Sequence, residues 1–299
     1  MKIIVTGAEG FIGASLVKYF KEKGDIVQAW NRRENTNDGM FTIDLTNVDA
    51  VKSAIKAFQP DIVIHCAGSA DVRKSVLDPY ADFHNNVIIT HSLFFALHQC
   101  DLRNCKIIFL SSAVVYGNPI ELPISESMQL NPISPYALHK QICENICWYF
   151  IKNYNMNIKI ARIFSVYGNG LQKQIFWDMY CKAIKTGKLE LYGTGNESRD
   201  YIHVTDVAKA IYLIMCYAPQ NEVIYNIANG EEVTIASVAQ IFAEDMELEG
   251  KVYFNGERRE GDPINWCANI SKLEKLGYKK TVNIKDGIKM YVKWAKTLN

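Results

Sequence analysis

Short apolar, β-branched runs alternate with longer segments of helical period through the first two-thirds of the chain. Lys2–Val5, Asp25–Trp30, Asp61–Cys66, Lys106–Ser111 and Ile158–Ile163 predict strands, and Ile12–Lys23, Val48–Phe58, Asn86–Gln99 and Tyr136–Asn153 predict helices between them. Strands that are apolar almost throughout are covered on both faces, and crossover helices of this length join parallel strands. The pattern predicts an α/β fold built on a doubly wound parallel sheet. From about Gly168 the rhythm becomes irregular, with loops such as Tyr192-Gly193-Thr194-Gly195-Asn196. Thr234 is placed to cap a helix Ile235–Asp245, and Asn283 with Asp286 to start a last one. We expect a main domain over 1–165, rejoined near 201–210 (Tyr201–Val204) and 223–228 (Val223–Ala228). A smaller α+β lobe over 166–299 completes the expectation.

Composition narrows the function classes. Among 299 residues, 33 Lys plus Arg oppose 32 Asp plus Glu, so the cationic excess that binds nucleic acid is missing. No apolar run approaches the roughly 20 residues that span a bilayer. The three apolar residues Ile3-Ile4-Val5 before Thr6-Gly7 are too short for an export signal, so we expect a cytoplasmic protein. The eight cysteines form no Cys-x-x-Cys pair and sit mostly in apolar runs, as buried thiols do. Cys143 and Cys147 lie one helical turn apart with no His or carboxylate cluster to complete a metal site, so no metal is expected. His84, His91 and His98 recur every seven residues, about 10 Å apart along a helix, too far to share one ion.

The first strand runs into Gly7-Ala8-Glu9-Gly10-Phe11-Ile12-Gly13. A glycine turn between strand and helix lets the backbone approach a pyrophosphate, whose charge the helix N-terminus then stabilises. The spacing Gly-x-x-Gly-x-x-Gly differs by one residue from the commoner dinucleotide fingerprint. At the end of the second strand an NAD site places a carboxylate for the ribose hydroxyls, and an NADP site places cations for the 2′-phosphate. Here the strand ends Asn31-Arg32-Arg33, which favours NADP(H) and leaves NAD(H) possible. Glu34 and Asp38 nearby keep open the plainer reading of a solvated basic loop. Asp44 and Leu45 are placed to contact the adenine, and Cys66, Ala67 and Gly68, after the third strand, to face the cofactor.

A third pattern bears on chemistry. Tyr136 and Lys140 fall at i and i+4 on one helix face. An ammonium beside a phenol favours the phenolate, and the phenol can exchange a proton with an alcohol or ketone while hydride moves to or from a nicotinamide. Ser111-Ser112, ending the preceding strand, can supply a hydroxyl to the same substrate oxygen.

Together, Gly7-x-x-Gly10-x-x-Gly13, Leu110-Ser111-Ser112-Ala113-Val114-Val115-Tyr116-Gly117 and Tyr136-x-x-x-Lys140 resemble the extended short-chain dehydrogenase/reductase family, whose sheet is Rossmann-type. The likeness is narrower to its nucleotide-sugar epimerases, dehydratases and ketoreductases, and covers nearly the whole chain. Val72–Pro79 with Asn85-Asn86-Val87 matches the segment beside the nicotinamide, Arg199-Asp200-Tyr201-Ile202-His203-Val204 a second signature, and Arg259-Glu260-Gly261-Asp262 the C-terminal loop. The resemblance implies Ser112, Tyr136 and Lys140 as catalytic residues and Asn85 as a cofactor contact. It implies Ser75, Ser165, Arg199 and Arg259 as substrate contacts, the two arginines gripping a diphosphate. Ala113-Val114 stands where dehydratases carry Asp-Glu, which argues against dehydration, and Ser165 replaces a common Asn.

The leading expectation is therefore an oxidoreductase acting on a nucleotide-linked sugar with hydride transfer at C4. Asn31-Arg32-Arg33 tilts it toward a reductase of an NDP-4-keto-6-deoxyhexose. The alternative is a 4-epimerase with retained NAD, and a remoter one is a dinucleotide sensor without catalysis. The resemblance also implies a homodimer through a four-helix bundle of Asn86–Gln99 and Tyr136–Asn153. The stripe Cys143, Ile146, Cys147 and Phe150 suits that interface or the protein's own sheet equally.

Overall fold

A computed structural model describes residues 1–33, 39–102, 104–257 and 263–298. In chain order its strands are β1 (Lys2–Thr6), β2 (Ile26–Asn31), β3 (Met40–Thr42), β4 (Ile62–His65), β5 (Lys106–Ser112), β6 (Asn157–Ile163), β7 (Ser165–Tyr167), β8 (Leu189–Leu191), β9 (Ser198–Arg199), β10 (Tyr201–His203), β11 (Ile224–Ile227), β12 (Val233–Thr234) and β13 (Val252–Phe254). The helices are α1 (Phe11–Glu22), α2 (Val48–Phe58), α3 (Val72–Leu77), α4 (Pro79–Phe83), α5 (Ile89–Gln99), α6 (Pro135–Tyr154), α7 (Gln174–Thr186), α8 (Val204–Tyr217), α9 (Ile235–Asp245), α10 (Ser271–Lys275) and α11 (Ile284–Ala295). A π-helical turn, His84–Ile88, joins α4 to α5.

Seven strands form one sheet in the order β11-β6-β5-β4-β1-β2-β3, and the pairings that join β1 to β6 are all parallel. This is the doubly wound Rossmann-type sheet that the pattern predicts. The order reverses between β1 and β4, and in such sheets ligands bind beyond the carboxyl ends of the strands at that reversal. The apolar runs are apolar because both faces are covered: Ile3, Ile4 and Val5 are fully buried, as are Val63 and Ile64. Helices turn a single stripe inward, such as Leu16, Val17 and Phe20 of α1. The two caps expected late in the chain are present, Thr234 accepting from Ser237 N and Asn283 from Asp286 N.

The chain divides into two compact units. One comprises Met1–Gly117, Gln129–Ile163 and Ile211–Tyr225; the other Asn118–Met128, Phe164–Ala210 and Asn226–Asn299. In the second, β10 pairs with β7, β12 with β9 and β13 with β8, each as a two-stranded sheet. The expected return of Tyr201–Val204 to the main sheet is thus corrected: β10 pairs with β7 in a separate two-stranded sheet. The expected helix at Asn86 begins earlier, since Asp78 caps α4 and Pro79 takes its first position. The stripe on α6 is also decided. Cys143, Cys147 and Phe150 are buried in the first unit's own core with Phe94, Phe109 and Ile160.

Candidate active site

β1 hands over to α1 through Gly7, whose φ of +64° places it in the left-handed region. A Cβ there would lie 2.7 Å from Ala67 N and Cα, and one on Gly13 would lie 2.3 Å from Gly7 O. Both glycines are therefore required by the chain's own backbone, which packs the turn against Cys66-Ala67-Gly68 beyond β4. Ala67 N donates to Thr6 Oγ1 at 3.2 Å and fastens that contact. Gly10 differs. It is the N-cap of α1, brings no side-chain acceptor, and an added Cβ would meet only Gly7 O, at 3.1 Å, within 4 Å. The first-turn N–H groups, which Phe11 and Ile12 open, are left for an external anion. The turn fits a dinucleotide pyrophosphate.

At the end of β2, Asn31 is buried and already engaged. Its Oδ1 accepts Glu9 N at 2.9 Å, bracing the glycine turn, and its Nδ2 donates to Met40 Sδ at 3.2 Å. Arg32 Nη1 donates to Asn85 Oδ1 at 3.2 Å, so these two predicted cofactor residues hold each other. Arg33 is exposed, and its carbonyl accepts Thr42 Oγ1. Asp44 accepts Thr46 N and Oγ1, which holds its carboxyl below the usual carboxylate range. Leu45, expected against the adenine, is buried in the core instead, its apolar side chain packed with Trp30 and Val51. Burial pushes the Cys66 thiol up, so it stays a thiol.

The neighbour of Asn85 was missed. Asn86 is 1% exposed, and its Oδ1 has no hydrogen-bond partner among the described residues. A Cβ on Gly68 would meet that oxygen at 2.7 Å and Lys140 Nζ at 3.6 Å. An unpartnered buried amide oxygen is costly unless something binds there. The signal was legible: Asn86, Thr90, Leu93, Phe94 and Leu97 follow a helical stripe that is buried, and Asn85 falls outside it. The π-helical turn that carries both asparagines is a form met often at functional sites.

Ser112, Tyr136 and Lys140 converge in the first unit. Ser134 caps α6 through Ala137 N at 3.2 Å and Pro135 takes its first position, so Tyr136 lies in the first turn. The Ser112 side chain is close enough to the Tyr136 phenol to favour its ionised form. Burial pushes the phenol up, Ser112 opposes that, and the charge of Asp82 adds to it. Lys140 Nζ donates to Leu110 O at 3.0 Å and lies 5.0 Å from the Phe109 ring centre; burial depresses its proton affinity. Ser75, expected to reach substrate, is fully buried with its hydroxyl engaged: it donates to Val72 O at 2.6 Å and accepts Tyr136 N at 3.1 Å. Through these bonds Ser75 holds the start of α6.

A buried ionic network braces the same place. Arg162 grips Glu144 with two donors, Nε to Oε1 at 3.0 Å and Nη2 to Oε2 at 2.7 Å. Its Nη1 donates to Tyr116 OH at 2.8 Å, and Ser111 Oγ donates to Glu144 Oε1 at 2.6 Å. β5, the turn after it, α6 and β6 are thereby tied together around Ser112.

In the second unit, Ser165 N pairs with Asp200 O. Arg199 Nη1 donates to Ser198 O at 2.8 Å and Ile264 O at 3.1 Å, its guanidinium 5.8 Å from the Trp266 ring centre. Asp200 turns away to accept Ala268 N, Asn229 N and Gly230 N, and burial lifts its carboxyl to about 6 against those three donors. Arg259 lies outside the described residues.

Comparison with known proteins places the chain in a family. Residues 3–228 match the family described as NAD dependent epimerase/dehydratase. A protein named "Putative UDP-glucose 4-epimerase" from Methanocaldococcus jannaschii is 32% identical, the match covering 99% of both chains. The crystal structure of Thermus thermophilus UDP-glucose 4-epimerase complexed with NAD is 28% identical, covers 99% of each chain and superposes with a TM-score of 0.88. UDP-N-acetylglucosamine 4-epimerase from Methanobrevibacter ruminantium, in complex with UDP-N-acetylmuramic acid, is 27% identical, covers 100% of this chain and 99% of its own, and gives a TM-score of 0.89.

Proposed function

The chain belongs to the NAD dependent epimerase/dehydratase family, and within it we propose a 4-epimerase of UDP-linked hexoses that retains NAD(H). It is an NAD(P)-dependent nucleotide-sugar enzyme of the extended short-chain dehydrogenase/reductase type. The convergence of the Ser112 hydroxyl, the Tyr136 phenol and the Lys140 ammonium at the end of β5 carries the reading. The reductase expectation rested on arginines free to meet a 2′-phosphate, and Arg32 is instead bonded to Asn85. The relatives favour the same choice, since epimerases from two of the organisms compared act on UDP-glucose and UDP-N-acetylglucosamine and one was solved with NAD.

The cofactor is held by Gly7, Gly10 and the first turn of α1 at its pyrophosphate, by Asn31 near the adenosine ribose, and by Lys140 and Asn86 beside Gly68. NAD held there would supply the hydride acceptor and donor for oxidation and re-reduction at the sugar C4. Tyr136 takes the proton of the 4-hydroxyl as the ketone forms and gives it back as the ketone is reduced. Ser112 hydrogen-bonds the same oxygen and keeps it in line with the phenol. Lys140 supplies the positive charge that makes the phenolate accessible in a buried site. Arg199 binds the substrate diphosphate, with Arg259 assigned the same role, and Ser165 faces the sugar nucleotide.

A homodimer through α5 and α6 suits the exposed Phe95, Leu138, Tyr149 and Tyr154. Eight free thiols suit a reducing cytoplasm. The test is incubation with UDP-glucose, UDP-N-acetylglucosamine and UDP-glucuronate. Epimer formation without net change at the nicotinamide absorbance supports the proposal. Net oxidation of added NADPH with a 4-keto sugar, and no epimer, overturns it in favour of a reductase.

A further inference from the structure

A buried chain of hydrogen bonds joins the loop after β4 to the π-helical turn, and the proton on each of its links has one place to be. His65 ends β4, where the order of the sheet reverses, and pairs in register with Thr6 at the end of β1. Its imidazole is fully buried between two hydroxyls, Thr6 Oγ1 at 2.8 Å from Nδ1 and Thr90 Oγ1 at 3.1 Å from Nε2. Thr90 Oγ1 lies 2.6 Å from Asn86 O. A carbonyl only accepts, so the Thr90 proton is on that bond and its oxygen takes another from His65 Nε2. The imidazole is neutral at pH 7, because burial depresses it to about 3 and the Lys140 charge acts the same way, so Nδ1 is bare. Thr6 Oγ1 therefore donates to Nδ1 and accepts Ala67 N at 3.2 Å. The Phe94 and Phe109 rings flank the imidazole at 6.1 and 5.9 Å between ring centres.

We propose that His65, fixed as the Nε2–H tautomer, is a positioning residue: through Thr90 it sets the π-helical turn, and with it the Asn86 amide oxygen that meets the dinucleotide beside Gly68. This rests on the assignment of Asn86 to the cofactor above. One end of the chain holds Ala67, the residue whose N and Cα a Cβ on Gly7 would meet at 2.7 Å, so it is anchored against the pyrophosphate turn. The other end holds Asn86 O, which also accepts Cys143 Sγ from α6 at 3.5 Å. Asn86 Oδ1, on the same residue, is buried without a hydrogen-bond partner among the described residues and faces Gly68. A π turn departs from the i→i−4 ladder, and side-chain donors gathered on one of its carbonyls fix where that departure falls. Thr6 and Thr90 are 0% and 1% exposed, so water does not take the place of the imidazole between them. An apolar side chain at 65 would fill the space and leave both hydroxyls short of a partner.

Two measurements test this, one on the tautomer and one on the turn. Nitrogen-15 spectra of protein labelled at its six histidines resolve the ring nitrogens of His65, identified by their loss in His65→Gln. At pH 7 the expected pattern is a protonated Nε2 and a bare Nδ1. Thr90→Val removes the acceptor of Nε2 and keeps the side-chain shape, so the Nδ1–H form, donating to Thr6 Oγ1, is expected to gain population. A protonated Nδ1 in the wild type, or an unchanged His65 pattern in Thr90→Val, overturns the proposal. NAD affinity by calorimetry reads the turn. Thr90→Val and His65→Leu are expected to weaken it about tenfold, the size of one lost hydrogen bond, while Thr90→Ser and His65→Gln, which keep the hydroxyl and a donor to it, stay within about twofold. Asn86→Ala is expected to cost about tenfold alone and little in the Thr90→Val background, because both changes remove the same contact. A merely structural hydroxyl would lower thermal stability and leave the two losses independent, so additive losses overturn the proposal, as does Asn86→Ala with wild-type affinity. If His65→Leu does not fold, the contrast between Thr90→Val and Thr90→Ser decides. A wild-type protein that binds NAD and epimerises none of the three UDP-sugars would refute the proposed reaction and leave these affinities readable.

Discussion

Cutting the Arg162–Glu144 pair should expose how much of the site's geometry is held by charge. The two side chains are 3% and 2% exposed, and Arg162 supplies two of the three donors recorded on the carboxylate. Arg162→Leu leaves Glu144 buried with Ser111 as its one remaining donor among the described residues. Removing one partner of a buried pair costs about 3–5 kcal/mol, mostly because the survivor is left uncompensated. Glu144→Leu strands the guanidinium in the same way and should cost a similar amount. The double variant Glu144→Leu/Arg162→Met removes both charges, and an apolar replacement of similar volume is often close to neutral. The single variants should therefore lower the urea midpoint by about 2 M at a slope of about 2 kcal/mol/M, and the double variant by well under half of that. A double variant that costs the sum of the singles would refute the coupling. Activity separates positioning from stability. Without Glu144, Ser111 loses its acceptor and the end of β5 its anchor, so the folded double variant should lose about tenfold or more in kcat. Wild-type kcat in the double variant would show that the network has no hold on Ser112.

Other perturbations read other parts of the molecule. Gly13→Ala, whose methyl would lie 2.3 Å from Gly7 O, should destabilise by about 2–3 kcal/mol, whereas Gly10→Ala should fold normally and lose at least tenfold in NAD affinity by calorimetry. Tyr136→Phe should lower kcat by 10²–10⁴-fold, roughly the range for losing a general acid/base, while thermal shift by NAD persists; retained activity would remove Tyr136 from the chemistry. His65 is fully buried between the Thr6 and Thr90 hydroxyls, at 2.8 and 3.1 Å, and burial depresses it to about 3. Its folded value lies below its unfolded 6.5, so its contribution is present above pH 6.5 and is lost as pH falls toward 3, at about 1.4 kcal/mol per unit. Denaturant midpoints at pH 7 and pH 5 should converge for wild type and His65→Gln; parallel slopes would refute this.

Periodicity found the main sheet because its cause is simple. Ile3-Ile4-Val5 and Val63-Ile64 are buried on both faces, and a run with no polar position has few other places to go. β3 was missed because Met40–Thr42 is three residues long and half exposed, too short for any period to register. The same brevity hid the local pairing of β10 with β7, which depends on two segments distant in sequence. The α6 stripe shows a different limit. Period alone states that Cys143, Cys147 and Phe150 share a face, and only packing against Phe94 and Phe109 states which side of the helix is the core.

The site residues divide along the same line. Gly7, Gly13, Ser112, Tyr136 and Lys140 were legible because each role is set by spacing within one element or by a turn that tolerates no side chain. Asn31, Arg32, Asn85 and Ser75 were legible as positions, but spacing could not show which of their polar groups the protein already satisfies. Asn31 gives its amide oxygen to Glu9 N, Arg32 is bonded to Asn85, and the Ser75 hydroxyl is engaged at both ends. The converse is Asn86, adjacent to the expected residue, whose amide oxygen the fold leaves unsatisfied beside Gly68 and Lys140. A buried acceptor of that kind is the physical mark of a ligand contact. Replacing Asn86 by Leu should therefore weaken NAD binding more than Asn85→Leu does, whereas Arg32→Leu should leave any preference for NAD over NADP intact.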